Sequence, residues 1–564
     1  MFSVNKKGEL TATPFNGNEK KSISILEVVK ELQEEGIEAP YVIRFHDILH
    51  QRVQKINLAF KEVITEEEYS GKYLGVFPIK VNQTREVVEE IVEAGDDFDL
   101  GLEAGSKAEL LSILAYHKNP DSLMICNGYK DKDFLRLACL GTKMGRKLIV
   151  VIEQFSELPL LLEIGKEMGA LPEIGLRAKL FSNSSGKWEK SSGDSAKFGL
   201  TSAELLYAVE KIKKNKLIEK LTLFHFHIGS QIPDIKTFHE CFFEGGQIFA
   251  ELCKLGAPMR YFDTGGGLGV DYLGQFTNNY PSINYTIKDY ARYIVTTLKE
   301  ICEREKVTEP SIITEAGRAL TAHHSCVILN IFGEVSYKDN FNEHIETIKS
   351  QNSLCKKMKS LYDIKKSTRP HELFNWAIVT RSQAMDAFKM GFLSLSEKAF
   401  IEKYFWLIME KLSKYTELHE SLENKLVTQY LSNFSVFQSI PDSWAIDQLL
   451  PVVPIHRLNE EPTQIATLAD ITCDSDGKVN HFIGEDGEVD TTLLHTLKEN
   501  ESYFVGIFLT GAYQDVMGDN HNLMGRLSEA HVYYDEAEPT GFYIEEIVPG
   551  ETPSDVLETL KYNP

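Results

Sequence analysis

Gly75-Val-Phe-Pro-Ile-Lys80-Val-Asn-Gln83 places one lysine at the end of an apolar, β-prone run that begins at Tyr73. Helical spacing starts directly after it: Thr84 to Gly95 carries apolar residues at 87, 88, 91 and 92 and closes on a glycine. A strand running into a helix is the repeating unit of parallel β/α proteins, and the C-terminal end of the strand is where such folds present reactive side chains. A lysine desolvated there is an amine nucleophile that can form Schiff bases. A strand-end lysine reaching solvent is the plain alternative, and the neighbouring units decide between the two.

Working outward, the same unit recurs. After Tyr73–Ile79, strands are expected at Phe98–Glu103, Leu123–Tyr129, Lys147–Glu153, Glu173–Leu180, Leu221–Ile228, Met259–Asp263 and Ser311–Glu315. Amphipathic helices follow at Ser106–Tyr116, Asp131–Leu140, Leu158–Met168, Ser202–Lys213, Phe238–Leu255 and Thr286–Arg304. A serine- and glycine-rich loop, Phe181–Lys197, interrupts the fifth unit. Eight units in about 250 residues predict an α/β fold with a (β/α)8 TIM-like barrel, an open doubly wound sheet being the alternative. A barrel requires polar, reactive residues at the strand ends. The sequence supplies Lys80, Glu103, Asn127, Glu153, Arg177, His227, Gly265-Gly-Gly267, and Glu315 with Arg318.

The 564 residues, 43% hydrophobic and 25% charged, are enough for two or three domains. Residues 1–70 read as a lead-in with helices at Ser22–Glu34 and Asp47–Val63, and 71–330 as the barrel. Residues 331–440 read as a helical insert with helices at His344–Ser360, His371–Met390, Ser396–Tyr415 and Glu417–Leu431. Residues 441–564 read as a C-terminal β domain, completed by N-terminal strands, with a short tail. No membrane-length apolar run or signal-peptide core is seen, so a cytoplasmic location is expected. Eight cysteines without CxxC spacing argue against zinc ribbons, redox dithiols and disulfide frameworks. A net charge of −23 disfavours nucleic acid and anionic membrane as partners and favours a small cationic substrate.

Several motifs carry chemistry. Asp263-Thr-Gly-Gly-Gly-Leu-Gly-Val-Asp-Tyr272 is a strand-end glycine loop able to approach a phosphate, without the Walker residues or a Gly-x-Gly-x-x-Gly spacing. His225-Phe-His227 puts two imidazoles on one strand face and, with Glu153, would suit a metal-dependent barrel hydrolase. His323-His324 is an ambiguous second pair. Cys473-Asp474-Ser-Asp476-Gly sets a thiol beside carboxylates in a turn, where it could donate a proton beside a cation-binding aspartate. Gly511-Ala-Tyr513-Gln514 is another strand-end polar group.

Taken together, these stretches resemble the biosynthetic arginine decarboxylase family, fold-type III enzymes of the alanine racemase-like class that use pyridoxal phosphate. The residues carrying the likeness are the Lys80 stretch, His227-Ile-Gly-Ser-Gln, the glycine loop through Tyr272, Glu315-Ala-Gly-Arg318, Cys473-Asp-Ser-Asp-Gly and Gly511-Ala-Tyr513-Gln. The resemblance implies decarboxylation of L-arginine to agmatine, the first step toward putrescine and spermidine. It implies that Lys80 holds the cofactor covalently, His227 stacks on its ring and Glu315 faces the pyridine nitrogen. Ser230, Gly265, Gly266, Gly267, Arg318 and Tyr513 would bind the phosphate. Cys473 would be the proton donor and Asp474 the partner of the substrate's distal cation, both from a neighbouring subunit. Phe262, Asp263, Thr264, Leu268, Gly269, Val270, Asp271 and Tyr272 would contribute to the substrate side, with Arg177 and Glu103 as supports. The family is also associated with Mg2+ and with a homodimer, or a homotetramer, as its working unit. A decarboxylase for ornithine, lysine or diaminopimelate would share the cofactor residues, and a non-catalytic regulator would need neither Lys80 nor Cys473.

Overall fold

The computed structural model describes residues 1–15, 17–181, 196–341, 350–364, 369–415, 422, 425–485 and 487–562. Eight parallel strands close into a barrel: β1 (Tyr73–Pro78), β2 (Gly101–Ala104), β3 (Leu123–Cys126), β4 (Lys147–Ile152), β5 (Glu173–Arg177), β6 (Leu221–His225), β7 (Tyr261–Asp263) and β8 (Ser311–Thr314). Closure is the β8–β1 pairing, Ile312 opposite Tyr73. The open-sheet alternative therefore falls. Helices connect the strands, and Ser106, Asp131, Thr201 and Thr286 cap four of them with side-chain oxygens on backbone amides. Val76, Leu123, Ile125, Ile149, Val151, Leu223 and Ile313 fill the barrel interior.

A second, larger sheet lies beyond the barrel. Its longest strand, Ser325–Val335, pairs antiparallel with Tyr41–Phe45, Tyr503–Phe508 and Thr428–Ser432. Tyr41–Phe45 pairs on its other side, in parallel, with Ser528–Tyr534. The helix His46–Glu66 leaves that strand and packs on the barrel, where Phe60 stacks on Tyr73 with ring centroids 3.8 Å apart. A boundary at 330/331 would cut the longest strand in half. The barrel pattern ends at β8, and the apolar run after it belongs to the second sheet. Helices Ser353–Tyr362, Pro370–Lys389 and Leu395–Leu412 form a bundle with its own core around Met358, Leu373, Phe405 and Ile408. The helix expected at Glu417–Leu431 does not extend to its end: Thr428–Ser432 is a strand, because Thr428, Tyr430 and Ser432 alternate inward with Gln429 exposed. Its earlier part, like the start of His344–Ser360 and most of Phe181–Lys197, lies largely outside the described residues. Among the described residues no helix is long and apolar enough to cross a membrane.

The fully buried Arg44, on Tyr41–Phe45, joins the two bodies. It bonds Glu529 through Nε (2.6 Å) and Asp515 through Nη1 (3.1 Å), and Asp515 Oδ2 also accepts from Asn82 Nδ2 (2.8 Å), two residues past Lys80. Removing one partner of a buried ion pair strands the others. Arg44→Ala should therefore cost about 3 kcal/mol, read as a lower denaturant midpoint and earlier melting with secondary structure retained.

Candidate active site

Side chains on a strand alternate in and out, so the apolar residues that fill the barrel dictate what sits above them. Two positions past an inward residue lie Asn127 (from Ile125), Glu153 (from Val151), His225 (from Leu223) and Glu315 (from Ile313). The same parity brings up Glu103 from Gly101, Arg177 from Gly175 and Asp263 from Tyr261. Lys80 follows β1 on a 3-10 turn, Ile79–Val81. The strand-end set is thus one continuous polar layer. His227 lies beyond it, so His225 and His227 occupy successive levels and are not a pair of ligands.

This layer floors a cavity of about 490 Å³ lined by Lys80, Glu103, Asn127, Arg177, His227 and Glu315, among others. Lys80 Nζ stands 3.7 Å from Glu103 Oε2. Nearly half of the Lys80 side-chain surface is free, and the residue lines this cavity. The Glu103 carboxylate, ahead of Glu315, holds the Lys80 ammonium above its ordinary value. Burial pushes Glu103 up to about 8, and neither of its oxygens has a hydrogen-bond partner. Glu315 Oε1 accepts from Asn127 Nδ2 at 2.7 Å; burial and then Asp263 push it up to about 8. Burial raises Asp263 to about 7. His225 and His227 are both kept neutral by burial and then by Arg177. His227 Nδ1 accepts from Gly229 N–H (3.0 Å), which leaves the ring proton on Nε2.

A second cavity of about 210 Å³ shares Lys80, His227 and Glu315 with the first. Ser230, Gly266, Gly267, Leu268, Arg318 and Tyr513 help line it. Here the glycines are needed: at Gly265, with φ +64°, a Cβ would stand 2.7 Å from Phe226 O and 2.9 Å from the His227 ring, and at Gly266 it would lie 3.2 Å from His227 Nε2. Arg318 donates to Tyr272 Oη (2.9 Å) and its guanidinium stands 4.9 Å from the centre of the Tyr513 ring. Tyr513 takes a left-handed φ of +70° and donates its N–H to Val81 O (2.8 Å), so the second sheet reaches the turn carrying Lys80.

A phosphorylated pyridine aldehyde fits these joined spaces. The smaller offers backbone and guanidinium donors; the larger offers a flat neutral imidazole, an amine and a buried carboxyl. Glu103 Oε1 and Oε2, Asp263 Oδ2 and both His225 nitrogens remain without hydrogen-bond partners. Among the described residues, the one trio able to approach a shared ion is His225, Asp263 and Glu315. An imidazole beside two carboxyls pushed toward their neutral forms does not fit Mg2+, which demands a near-octahedral set of oxygens. Glu153 is taken by Arg177, whose Nη1 lies 2.5 Å from its Oε1, which removes the hydrolase reading.

Not all expected residues meet here. Asp263 lies beneath Glu315 and Tyr272 behind Arg318. Phe262, Thr264, Gly269, Val270 and Asp271 line neither cavity. Phe262 packs against Phe224, Phe226 and Phe249, and Thr264 Oγ1 lies near Ile313 O. Gly269 N–H donates to Tyr285, Gln231 clamps Val270, and Asp271 ties its own turn through Gly274, Phe276 and Ser282. Cys473 and Asp474 sit on an exposed turn outside both cavities; Cys473 N–H donates to Asn522, and Asp474 Oδ2 is 3.6 Å from His521. Sequence reading missed Asn127 and Asp263 as partners of Glu315, although counting by twos from Ile125 and Tyr261 reaches both.

Residues 53–322 match the pyridoxal-binding domain of the pyridoxal-dependent decarboxylases, and 349–428 match the arginine decarboxylase helical bundle domain. A biosynthetic arginine decarboxylase of Prochlorococcus marinus (strain MIT 9303) is 41% identical, with 100% of this chain and 88% of the relative covered. The one from Bacteroides thetaiotaomicron is 40% identical, covering 100% and 90%. The chain belongs to the biosynthetic arginine decarboxylase family. The crystal structure of the Campylobacter jejuni biosynthetic arginine decarboxylase superposes with a TM-score of 0.87 at 35% identity, covering 100% of this chain and 89% of that one. A diaminopimelate decarboxylase from M. jannaschi, at 17% identity and TM-score 0.65, shares the fold. As a member of this family the chain is a pyridoxal phosphate-dependent carboxy-lyase.

Two outcomes are expected of this site. Gly265→Ala should lower cofactor affinity at least tenfold in an absorbance titration, by strain at φ +64° and by displacing His227. The second concerns pH. Glu315 has a folded pKa near 8, raised from 4.5, so its contribution to stability is full at low pH and is lost as pH rises toward and through 8. In the cofactor-free protein, Glu315→Gln should therefore melt close to the parent at pH 5 and above it at pH 8.5.

Proposed function

We propose that this chain decarboxylates L-arginine to agmatine and CO2, the first step of agmatine, putrescine and spermidine synthesis. The observation that carries this reading is the full-length 40–41% identity to biosynthetic arginine decarboxylases, helical bundle included, with Lys80, His227, Glu315 and Arg318 gathered around one pair of joined cavities.

When bound, pyridoxal phosphate supplies an electron sink for the pair left behind as CO2 departs. This chain's residues do the rest. Lys80 Nζ would be the covalent anchor. The flat, neutral His227 ring would support one face of the pyridine. Glu315, oriented by Asn127 and backed by Asp263, would face the pyridine nitrogen and hold a proton there. Gly265 to Gly267, Ser230, Arg318 and Tyr513 would bind the phosphate, with Tyr272 and the Tyr513 ring fixing the guanidinium of Arg318. The substrate's distal guanidinium pairs with Asp474 of the partner subunit, and Cys473 of the partner subunit returns a proton to the substrate carbon. That assignment to a neighbouring copy rests on both residues being exposed and outside the cavities of their own subunit. A homodimer is then the smallest active unit, with a homotetramer as its assembly into pairs. Free thiols at all eight cysteines support a reducing, cytoplasmic setting.

The direct test offers the yellow enzyme arginine, ornithine, lysine and diaminopimelate and identifies the amine released; only agmatine should form at an appreciable rate. Lys80→Ala should lose both turnover and the visible band of lysine-bound cofactor. Mixing Lys80→Ala with Cys473→Ala subunits should restore activity in about a quarter of sites after random exchange, since half of the sites in each mixed two-fold dimer are intact. Asp474→Ala should complement in the same way and weaken arginine binding by about 2–5 kcal/mol. No recovery after demonstrated exchange would place the site within one chain.

A further inference from the structure

We propose that Glu103 is the proton acceptor of Lys80: its carboxylate takes the proton from Nζ so that the free amine can attack the cofactor's aldehyde, and afterwards returns it. This rests on the reading of Lys80 as the anchor and adds a group that shuttles its proton.

The geometry is specific. Glu103 is 1% exposed, both its oxygens lack hydrogen-bond partners, and Oε2 lies 3.7 Å from Nζ on the wall of the same cavity. A buried carboxyl with two orphaned oxygens is costly unless a neighbour completes it. Glu153 bonds Arg177 and Glu315 bonds Asn127, each through Oε1, so Glu103 is the one of the three whose two oxygens both lack a hydrogen-bond partner. Glu109, at the mouth, accepts from Gln83 and from Gly105 N–H. Arg177, the Tyr513 phenol and the neutral rings of His225 and His227 complete the titratable and charged surroundings. Of these groups Glu103 is the strongest influence holding Lys80 protonated, and burial raises Glu103 well above an ordinary carboxyl, which makes it the more basic acceptor.

The balance is as follows. The ammonium gives one proton to Glu103 Oε2. The neutral amine attacks the aldehyde carbon, a C–N bond forms, and the aldehyde oxygen leaves as water with the two remaining amine hydrogens. Glu103 then returns its proton to the nitrogen. No electrons are exchanged and no further reactant is needed.

The test uses full-length protein stripped of cofactor and follows, by the growth of visible absorbance, the rate at which it captures pyridoxal phosphate between pH 6 and 12. Glu103→Gln removes the strongest influence that keeps Lys80 protonated and also removes the shuttle. The pH midpoint of capture should therefore fall by one unit or more while the plateau rate drops about tenfold. Glu103→Asp should recover part of both effects, and Glu109→Gln should keep the parent midpoint. A glutamine variant with the parent's midpoint, or with its plateau, overturns the proposal, since a merely structural role would leave the midpoint in place. If the glutamine variant does not fold, Glu103→Asp carries the test: the withdrawn carboxylate should lower midpoint and plateau, and parental values overturn the assignment. Failure of the unaltered protein to capture the cofactor would instead refute Lys80 as the anchor, so the two failures are distinct.

Discussion

Closing eight parallel strands forces the last inward residue of every strand into one small, poorly solvated layer, and the electrostatics of that layer govern the site. Four carboxyls, Glu103, Glu153, Asp263 and Glu315, meet two cations, Lys80 and Arg177. Left to itself such a layer would expel its charges, since each desolvated ion costs several kcal/mol. It is stabilised by pairing: Arg177 with Glu153, Lys80 facing Glu103, Asn127 on Glu315, and the shift of the remaining carboxyls toward their neutral forms. Two neutral imidazoles border the same space, beside carboxyl and imidazole atoms that lack hydrogen-bond partners.

The barrel does not build the site alone. The smaller cavity depends also on Tyr513, held with a left-handed backbone in the segment that follows Tyr503–Phe508. Its N–H on Val81, Asn82 bonded to Gly511 O and Asp515, and buried Arg44 behind Asp515 form one chain of polar contacts from the second sheet to the turn carrying Lys80. Gly511 is required there because a Cβ would lie 2.1 Å from Thr321 O. Arg44 is thus linked through packed polar contacts to the segment of Tyr513 and to the turn carrying Lys80.

In the proposed function, charge also divides the labour between subunits. Within one subunit, Glu103 faces Lys80, and Asp263 accepts from Gly265 N–H and lies against Glu315, so neither is left over for the far end of a guanidinium substrate. An exposed Cys473-Asp474 turn on the second sheet is where a chain of this kind can hold one. In that reading the call for a second copy follows from charge supply as much as from shape.

Much of this was legible from the chain alone, because it depends on short periods. Apolar alternation and helical spacing determine the eight β/α units, and Lys80, the 265–267 glycines and Glu315 stand at strand ends by counting. The same count by twos would have separated His225 from His227 and added Asp263 to the layer. What local pattern could not decide was pairing across long separations. Tyr41–Phe45 lies between strands almost 290 and 490 residues away; Thr428–Ser432 is a strand because Ser325–Val335 and Gln464–Ala469 pair with it on either side; the Phe262 ring belongs to the core because three other phenylalanines close around it. Local sequence determines which way a side chain points along its own element, whereas burial and partnership depend on which distant element covers that face, and only the packed tertiary structure decides that.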